Sequence, residues 1–420
     1  MNNAWTGGQY SLYRLLFGTY LLVHFLHLLP WAAETFSHAG MLADATQSPL
    51  WSVFPNVLAL SDSPLAVQAL VLSAAVAAIA FMLGWRDRIA AFWLWYVLAC
   101  LFTRNPLIAN PALPYVGWLL LAHLLVPAAP YGALSARDRD NPAGYWIMPS
   151  AVFTAAGIVL ALSYSYSGYT KLLSPSWVAG DTLAIVLENP LARDHGLRTL
   201  FLALPAGLLS VITWFILYVE LLYAPLALVP RLRPWLWAGM LLVQIGFLFL
   251  LNFPDLTIGM LCFHLFTFDP AWLPGRRADA TETVLYDGDC GLCHRVVRFV
   301  LAEDSNAHFR FAPLGGAHFL ATVPATTRAT LPDSLLVQTT DGRLLLKSAA
   351  VIHLLRALGG LWWLPAQLLA TLPRRWADAA YDAVGRRRHL LFRQPTTVCP
   401  RIATALRDRF LLDAPALETT

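Results

Sequence analysis

The sequence predicts a polytopic α-helical membrane region of about eight spans, followed by a C-terminal α/β domain. Three observations predict it. The 420 residues are 58% hydrophobic and only 13% charged, where soluble chains carry about 25% charged residues. Long apolar segments recur through the first 270 residues, and the charges concentrate after residue 275. Within that polar part, an apolar run from Val284 to Tyr286 leads into Asp287-Gly288-Asp289-Cys290-Gly291-Leu292-Cys293, and a helical pattern follows.

The apolar segments read in order as follows. The first runs from Tyr10 to Leu29 and contains Arg14, His24 and His27; no cleavage site follows, so it reads as a retained helix. The second spans Pro64 to Leu83, the third ends near Phe102, and the fourth ends near Pro127. The fifth runs from Pro149 to Thr170, and the sixth, Thr199 to Leu228, is interrupted by Pro205 and Pro225. The seventh is Pro234 to Phe253. The eighth, Asp255 to Phe268, is short.

Eight spans place both termini on one side. The loops on that side carry Arg86, Arg88, Arg137, Arg139, Arg231, Arg233, Arg276 and Arg277, against Arg104, Lys171, Arg193 and Arg198 on the other. The bias predicts an inner (plasma) membrane protein with both termini and the C-terminal domain in the cytoplasm. The net charge of +4 suits a membrane surface, and no nucleic-acid motif is present.

In the polar part, Val296, Val297, Val300 and Leu301 fall on one helical face, so the Cys290-x-x-Cys293 pair sits where a strand gives way to a helix. Backbone N–H groups at a helix start stabilise a thiolate at the first cysteine, and the second lies within disulfide reach. The chemistry this favours is thiol–disulfide exchange. Two other readings compete. Zinc needs a second tight ligand pair, which His294, His308 and Cys399 do not form, and two buried cysteines can serve packing alone. Downstream come a strand (His308 to Ala312), a loop, a hairpin of strands Ser334 to Thr339 and Arg343 to Lys347 about Asp341-Gly342, and a helix (Ala349 to Leu358). That is the thioredoxin order.

These flanks, with Phe309-Arg310-Phe311-Ala312-Pro313-Leu314 and Ser348-Ala349-Ala350-Val351, resemble the DCC-type thiol-disulfide oxidoreductase family over residues 282 to 403. The resemblance implies a thioredoxin-like domain with Cys290 and Cys293 as its redox pair. It also gives Pro332 the role of a cis-proline that faces the cysteines and guides a substrate chain. Asp287 and Asp289 are supporting carboxylates; one before the first cysteine would oppose thiolate formation and could accept a proton. From Trp362 to Arg393, tryptophans and leucines mix with arginines. An interfacial helix on an anionic leaflet and a helix packed on its own sheet both fit that mixture. Residues 271–281 read as a linker, and residues 404–420 as a tail.

The apolar region has one polar stretch that stands out, Tyr164-Ser165-Tyr166-Ser167-Gly168-Tyr169-Thr170-Lys171, followed by Trp177 and Gly180. Lys171 and Lys347 are the only lysines in a chain that otherwise uses arginine. Lysine can give up its proton when desolvated, so Lys171 is a candidate general base; the alternative is a lysine snorkelling to the interface. Arg14, Leu83-Gly84-Trp85-Arg86, Arg104-Asn105-Pro106, the Ser-Gly-x-x-Lys stretch and Glu220 together resemble the HTTM family over residues 8 to 270, the membrane region shared with vitamin K-dependent gamma-carboxylase. That resemblance implies a quinone or lipid site with Lys171 as base. Gln244 departs from it, because many relatives have histidine there. Glu220, buried in the sixth segment, needs a partner, and Arg14 or a histidine is the expected one.

The leading expectation is a membrane-bound thiol-disulfide oxidoreductase in which Cys290 attacks and Cys293 resolves, acting on a thiol or disulfide protein or a small thiol, with membrane lipid as a second partner. A quinone in the membrane region would extend the electron path. The alternative is a membrane-embedded peptide- or lipid-modifying enzyme with an accessory redox domain.

Overall fold

The computed structural model describes residues 4–108, 110–274, 281–332, 334–391, 400 and 403–412. The linker residues 275–280, with Arg276 and Arg277, and also Asp333, Arg393, Cys399 and the chain after residue 412, lie outside the described residues. The chain divides into two compact units. One comprises residues Tyr13–Ala128 and Pro149–Phe268, and the other comprises residues 4–12, Ala129–Met148 and the chain from Asp269 onward.

All eight predicted apolar segments are helical: α1 (Gly7–Leu28), α2 (Pro64–Leu83), α3 (Asp87–Arg104), α4 (Leu113–Leu125), α5 (Ser150–Leu172), α6 (Ala206–Leu221), α7 (Arg233–Leu250) and α8 (Pro254–Thr267). The sixth segment is not one helix. Gly196–Leu202 and α6 meet at a bend of 106°, because Pro205 cannot donate into the preceding turn, and Tyr223–Ala227 forms a further short helix. Among the described residues, four helices are long and apolar enough to cross a membrane: α1 with its extension to Phe36, α2, α5 and α7. The bent pair makes a fifth if it counts as one span, and α4 is apolar but shorter. The N-terminal region thus holds several apolar helices; eight spans exceeds what helix length alone supports.

Helix α2 shows why these segments fold as they do. Ser63 caps it, its Oγ accepting the Ala66 N–H at 3.3 Å; Pro64 occupies the first turn, and Gly84 ends it at φ +70. Val67, Val71, Ala74, Ala78 and Phe81 form its buried stripe, yet Leu65, Leu72, Val76 and Ile79 are exposed on the other side. A helix apolar all round is the pattern for a lipid solvent. Inside this unit ion pairs join Arg14 with Asp87 at 3.4 Å, His123 with Asp87 at 3.5 Å, Arg104 with Asp62 at 3.0 Å and His24 with Asp255 at 2.8 Å. Arg14 therefore does not serve Glu220, contrary to the expectation from sequence.

The second unit is built on a four-stranded sheet of β1 (Glu282–Tyr286), β2 (Phe309–Pro313), β3 (Leu336–Gln338) and β4 (Leu344–Leu346), in the order β2-β1-β3-β4. β1 runs parallel to β2 and antiparallel to β3, and β3 and β4 form the hairpin, with Gly342 at φ +83 in its turn. Helix α9 (Gly291–Glu303) joins β1 to β2, and α10 (Lys347–Leu358), α11 (Trp363–Thr371) and α12 (Arg374–Leu391) follow β4. The element order is the one read from the sequence. Val284, Leu285 and Tyr286 are all fully buried because β1 is covered on both faces. Val284 and Tyr286 pack with Val297, Val300, Phe309 and Phe311; Leu285 packs with Ala312, Phe319 and Val323 on the other side.

Two corrections follow. The expected loop after β2 contains two short helices, Ala317–Thr322 and Ala325–Arg328, and Phe319 and Val323 cover the second sheet face there. The expected tail from residue 404 begins with a 3-10 helix, Thr404–Arg409. Phe410 then enters the core against Phe311, and the Leu411 N–H donates to Phe311 O at 2.8 Å.

Candidate active site

The turn that carries the cysteines is tied by Asp287. Its carbonyl accepts the Cys290 N–H at 3.3 Å, and its Oδ1 accepts the Asp289 N–H at 2.9 Å. Cys290 then stands as the N-cap of α9 in an extended conformation, and its Sγ accepts the Cys293 N–H at 3.3 Å. A sulfur here faces the donors that a helix start leaves unmatched, and it sits in the positive end of the helix dipole. Both cysteines are free thiols.

The two thiols are pushed apart. Cys290 is lowered to about 6, first by the hydrogen bond from the Cys293 thiol and then, against the cost of burial, by the Cys293 N–H and the Arg388 charge. Cys293 is raised, first by that same hydrogen bond and next by burial. The pair thus divides into a thiolate at Cys290 and a held proton at Cys293.

Asp289 is exposed, and the carboxylate acting on the pair is that of Asp287, whose charge opposes ionisation of Cys293. Asp287 Oδ2 also meets Arg388 Nη2 at 3.4 Å. Pro332 is half-buried, and the described residues contain no cis peptide bond, so the expected cis-proline is trans here.

Residues 284–394 match the DCC1-like thiol-disulfide oxidoreductase family. A relative, the uncharacterized protein YuxK of Bacillus subtilis (strain 168), is 27% identical over 130 residues, which cover 31% of this chain and 93% of that protein. No solved structure is a significant match. Together these findings support a DCC1-like thiol-disulfide oxidoreductase domain at the C-terminus, and with it a thiol–disulfide redox role.

Two residues of this DCC1-like domain escaped the sequence reading. Arg388 and Tyr381 lie on α12, where the tyrosine hydroxyl accepts the Leu335 N–H at 2.8 Å. With buried Ala377 they fall at i, i+4 and i+11, one stripe of a helix, and that spacing was the available signal. Between α9, α10 and α12 lies an apolar cavity of about 260 Å³ that Cys293, Val296, Leu354, Tyr381 and Arg388 help to line. Further along, Trp362 is turned inward, donating from Nε1 to Glu303 at 2.6 Å and packing edge-on against Phe299. The exposed side carries Leu368, Arg374, Arg375 and Trp376.

In the apolar-helix unit, Lys171 and Glu220 come together. Lys171 Nζ donates to Glu220 Oε2 and to Ser167 Oγ, the latter at 2.8 Å, and lies 5.1 Å from the Trp177 ring centre. Gly168 makes the meeting possible, because a Cβ there would fall 2.9 Å from the Glu220 carbonyl carbon. Lysine, not arginine or histidine, is therefore the partner of Glu220. The pair faces a cavity of about 300 Å³ lined also by Tyr164, Thr213, Gln244, Phe247 and Met260. Gln244 Nε2 donates to the Tyr164 hydroxyl at 3.1 Å, and that hydroxyl also meets His264.

Proposed function

We propose that the chain is a membrane-bound thiol-disulfide oxidoreductase with a thioredoxin-like C-terminal domain. The observation that carries this is Cys290 at the N-cap of α9, its sulfur facing the Cys293 N–H and its thiol lowered to about 6. The Cys290 thiolate attacks one sulfur of a substrate disulfide; the S–S bond breaks and the departing thiolate takes a proton. Cys293 then gives up its proton and attacks the Cys290 sulfur, releasing the second substrate thiol and closing a Cys290–Cys293 disulfide. Two electrons pass from the pair to the substrate, and the reverse sequence oxidises a dithiol.

The substrate is a protein or small-molecule disulfide. The several apolar helices support a membrane protein; the arginine bias of the loops is the argument for the inner membrane, with the domain and both termini in the cytoplasm. The basic and apolar side chains exposed on α11 and α12 suit an anionic leaflet beside it.

The cavity at Lys171 favours a second activity in the membrane unit, either a quinone or lipid site or the alternative of peptide or lipid modification. A quinone fits the residues present: Lys171 and Gln244 would hold its oxygens, and Phe247, Met260 and Ile216 its ring. When bound it would supply a two-electron quinone/quinol couple. Lys171, which donates to Glu220, would give a proton to a quinone oxygen as it is reduced and would take one as base when the quinol is oxidised.

The test uses the full chain in lipid nanodiscs. With Cys293→Ser, a substrate disulfide should be trapped on Cys290 and read by mass; with Cys290→Ser, turnover should cease. Turnover that survives Cys290→Ser sinks the reading. Labelling of the pair in intact cells by membrane-impermeant against permeant thiol reagents tests the cytoplasmic placement. Quinone turnover that persists in Cys290→Ala would separate the two units.

A further inference from the structure

We propose that the cavity framed by the β3–β4 turn, α10 and the α11–α12 corner is a site for the phosphate headgroup of an anionic phospholipid, with the leucines and the tryptophan of that corner seated in the leaflet. The inference rests on the reading of the chain as membrane-bound and is independent of the thiol chemistry.

The cavity holds about 540 Å³ and lies within the C-terminal unit. Its arginines come from three elements: Arg343 from the hairpin turn, Arg356 from α10 and Arg374 from the start of α12. A guanidinium carries five N–H donors, and the neighbours of these three use few of them. Arg343 donates from Nε to Asp341 at 2.6 Å, and Arg356 from Nη2 to Gln367 at 3.1 Å. Arg374 Nε lies 3.8 Å from Asp378. Terminal N–H groups remain for phosphate oxygens, which such forks hold two at a time. The other charged or titratable groups in the lining are Asp341 and His353. Thr339 and Arg343 engage the first, and the second meets Glu282 at 2.5 Å. Asp378 already caps α10 through the Ser348 N–H at 3.3 Å, so the arginines, not the helix start, are what an incoming anion meets.

A soluble phosphate would account for the arginines and leave the rest of the feature unexplained. Leu369 and Leu372 line the same cavity, and the corner beyond them is apolar and open. Leu364 is 49% exposed, Leu368 69%, Leu372 43% and Trp376 60%. Leu364 and Leu368, four apart, share one face of α11. Leu372 and Trp376 continue the spacing across Pro373 into α12. The residues turned inward here are Ala366 and Ala377. Large apolar side chains outward and alanines inward is the reverse of a helix that faces water. Arg375 flanks the tryptophan, its guanidinium 5.9 Å from the ring centre. Tryptophan, leucine and arginine together are the composition of an interfacial segment. An anionic phospholipid satisfies both halves at once: its phosphate meets the arginines, and the apolar ridge enters the leaflet beside it.

The experiment uses the full chain in nanodiscs that carry photoactivatable phosphatidylglycerol, or photoactivatable phosphatidylcholine in its place. Adducts are located by mass, with those on the apolar helices as internal reference. Phosphatidylglycerol should label peptides within 339–356 and 364–376, and phosphatidylcholine should label them roughly five-fold less. Arg356→Gln with Arg374→Gln should lower the phosphatidylglycerol adducts there roughly twenty-fold, with the reference adducts and the unfolding midpoint unchanged. Lysine at both positions should restore most of the labelling. Equal labelling by the two lipids, or labelling untouched by the double substitution, would overturn the site. Loss of the adducts to an equal concentration of free glycerol phosphate would overturn the lipid and point to a soluble phosphate. A crosslink from the ridge to a second copy of the chain, in place of lipid, would also overturn it. Adducts on the apolar helices with none at the corner would remove the site and keep the membrane reading; adducts on neither would remove both.

Discussion

The division of the two thiols has a consequence for reactivity that the pH profile exposes. An ordinary thiol near 8.5 is about 3% ionised at pH 7, whereas one near 6 is about 90% ionised. The gain is roughly thirty-fold in thiolate, but nucleophilicity falls with basicity at a Brønsted slope of about 0.4–0.5, which returns roughly ten-fold or more. At pH 7 the net advantage is therefore only about two-fold, and a single-pH assay would miss it. At pH 5.5 the ordinary thiol is about 0.1% ionised and Cys290 about a quarter ionised, so the net advantage grows to roughly fifteen-fold. The perturbation is Cys293→Ala, which removes the largest cause of the lowered value at Cys290, the hydrogen bond from the Cys293 thiol. Its alkylation midpoint should move up toward that of an ordinary thiol, while Arg388→Met, a weaker cause, should move it less. The assay is the rate of Cys290 alkylation against pH, with thiolate absorbance as a check. A wild-type rate still climbing tenfold per unit through pH 8 would refute the reasoning.

Gly168→Ala should destabilise the apolar-helix unit by about 1–3 kcal/mol, because the new methyl meets the backbone of Glu220 and Leu221, which cannot yield as a side chain can. Detergent-phase thermal unfolding would register it, and an unchanged midpoint would deny the close crossing of α5 and α6. Lys171→Met leaves Glu220, 4% exposed, without its cation and should cost about 3–5 kcal/mol; Lys171→Met with Glu220→Leu should recover most of the loss in the same assay. Glu303 accepts from Thr6, from the Gly8 N–H at 2.7 Å and from Trp362 Nε1 at 2.6 Å, and burial pushes its carboxyl up. Glu303→Ala should cost about 3 kcal/mol and speed proteolysis near residues 4–12, whereas protection equal to wild type would show those bonds to be weak.

The C-terminal domain was legible because local signals agree there. An apolar run ending at Tyr286, an N-terminal cysteine on an amphipathic helix and an Asp-Gly hairpin turn all point to one element order, and the sheet has that order. What escaped was set by tertiary demand. Nothing local marks Ala317–Thr322 as a helix; the apolar sheet face of Leu285, Ala312 and Leu336 needs a cover, and Phe319 supplies it. Phe410 was read as tail because only its fit against Phe311 makes it core. In the apolar-helix unit, Lys171 was legible as unusual, but its partner was not. A carboxylate 49 residues away can be matched to a lysine only once a glycine is seen to bring two helices together. Arg388 was hidden by Arg386 and Arg387, since three arginines in a row give no hint which one turns inward.

The same hydrogen bond that makes Cys290 a thiolate also decides how long a mixed disulfide lasts. A thiolate near 6 attacks readily, and it is also a good leaving group when its disulfide is attacked in turn. The resolving thiol is the opposite case: Cys293 is raised, and the Asp287 charge beside it works against its ionisation. Once Cys290 is bonded to a substrate, however, its negative charge is gone. The largest cause of the raised value at Cys293 goes with it, so Cys293 becomes easier to ionise only after the first step has occurred. Attack and resolution are thereby ordered by electrostatics, with no need for a separate base until the second step. Asp287 then has two duties on one carboxylate, since it tempers Cys293 and holds Arg388.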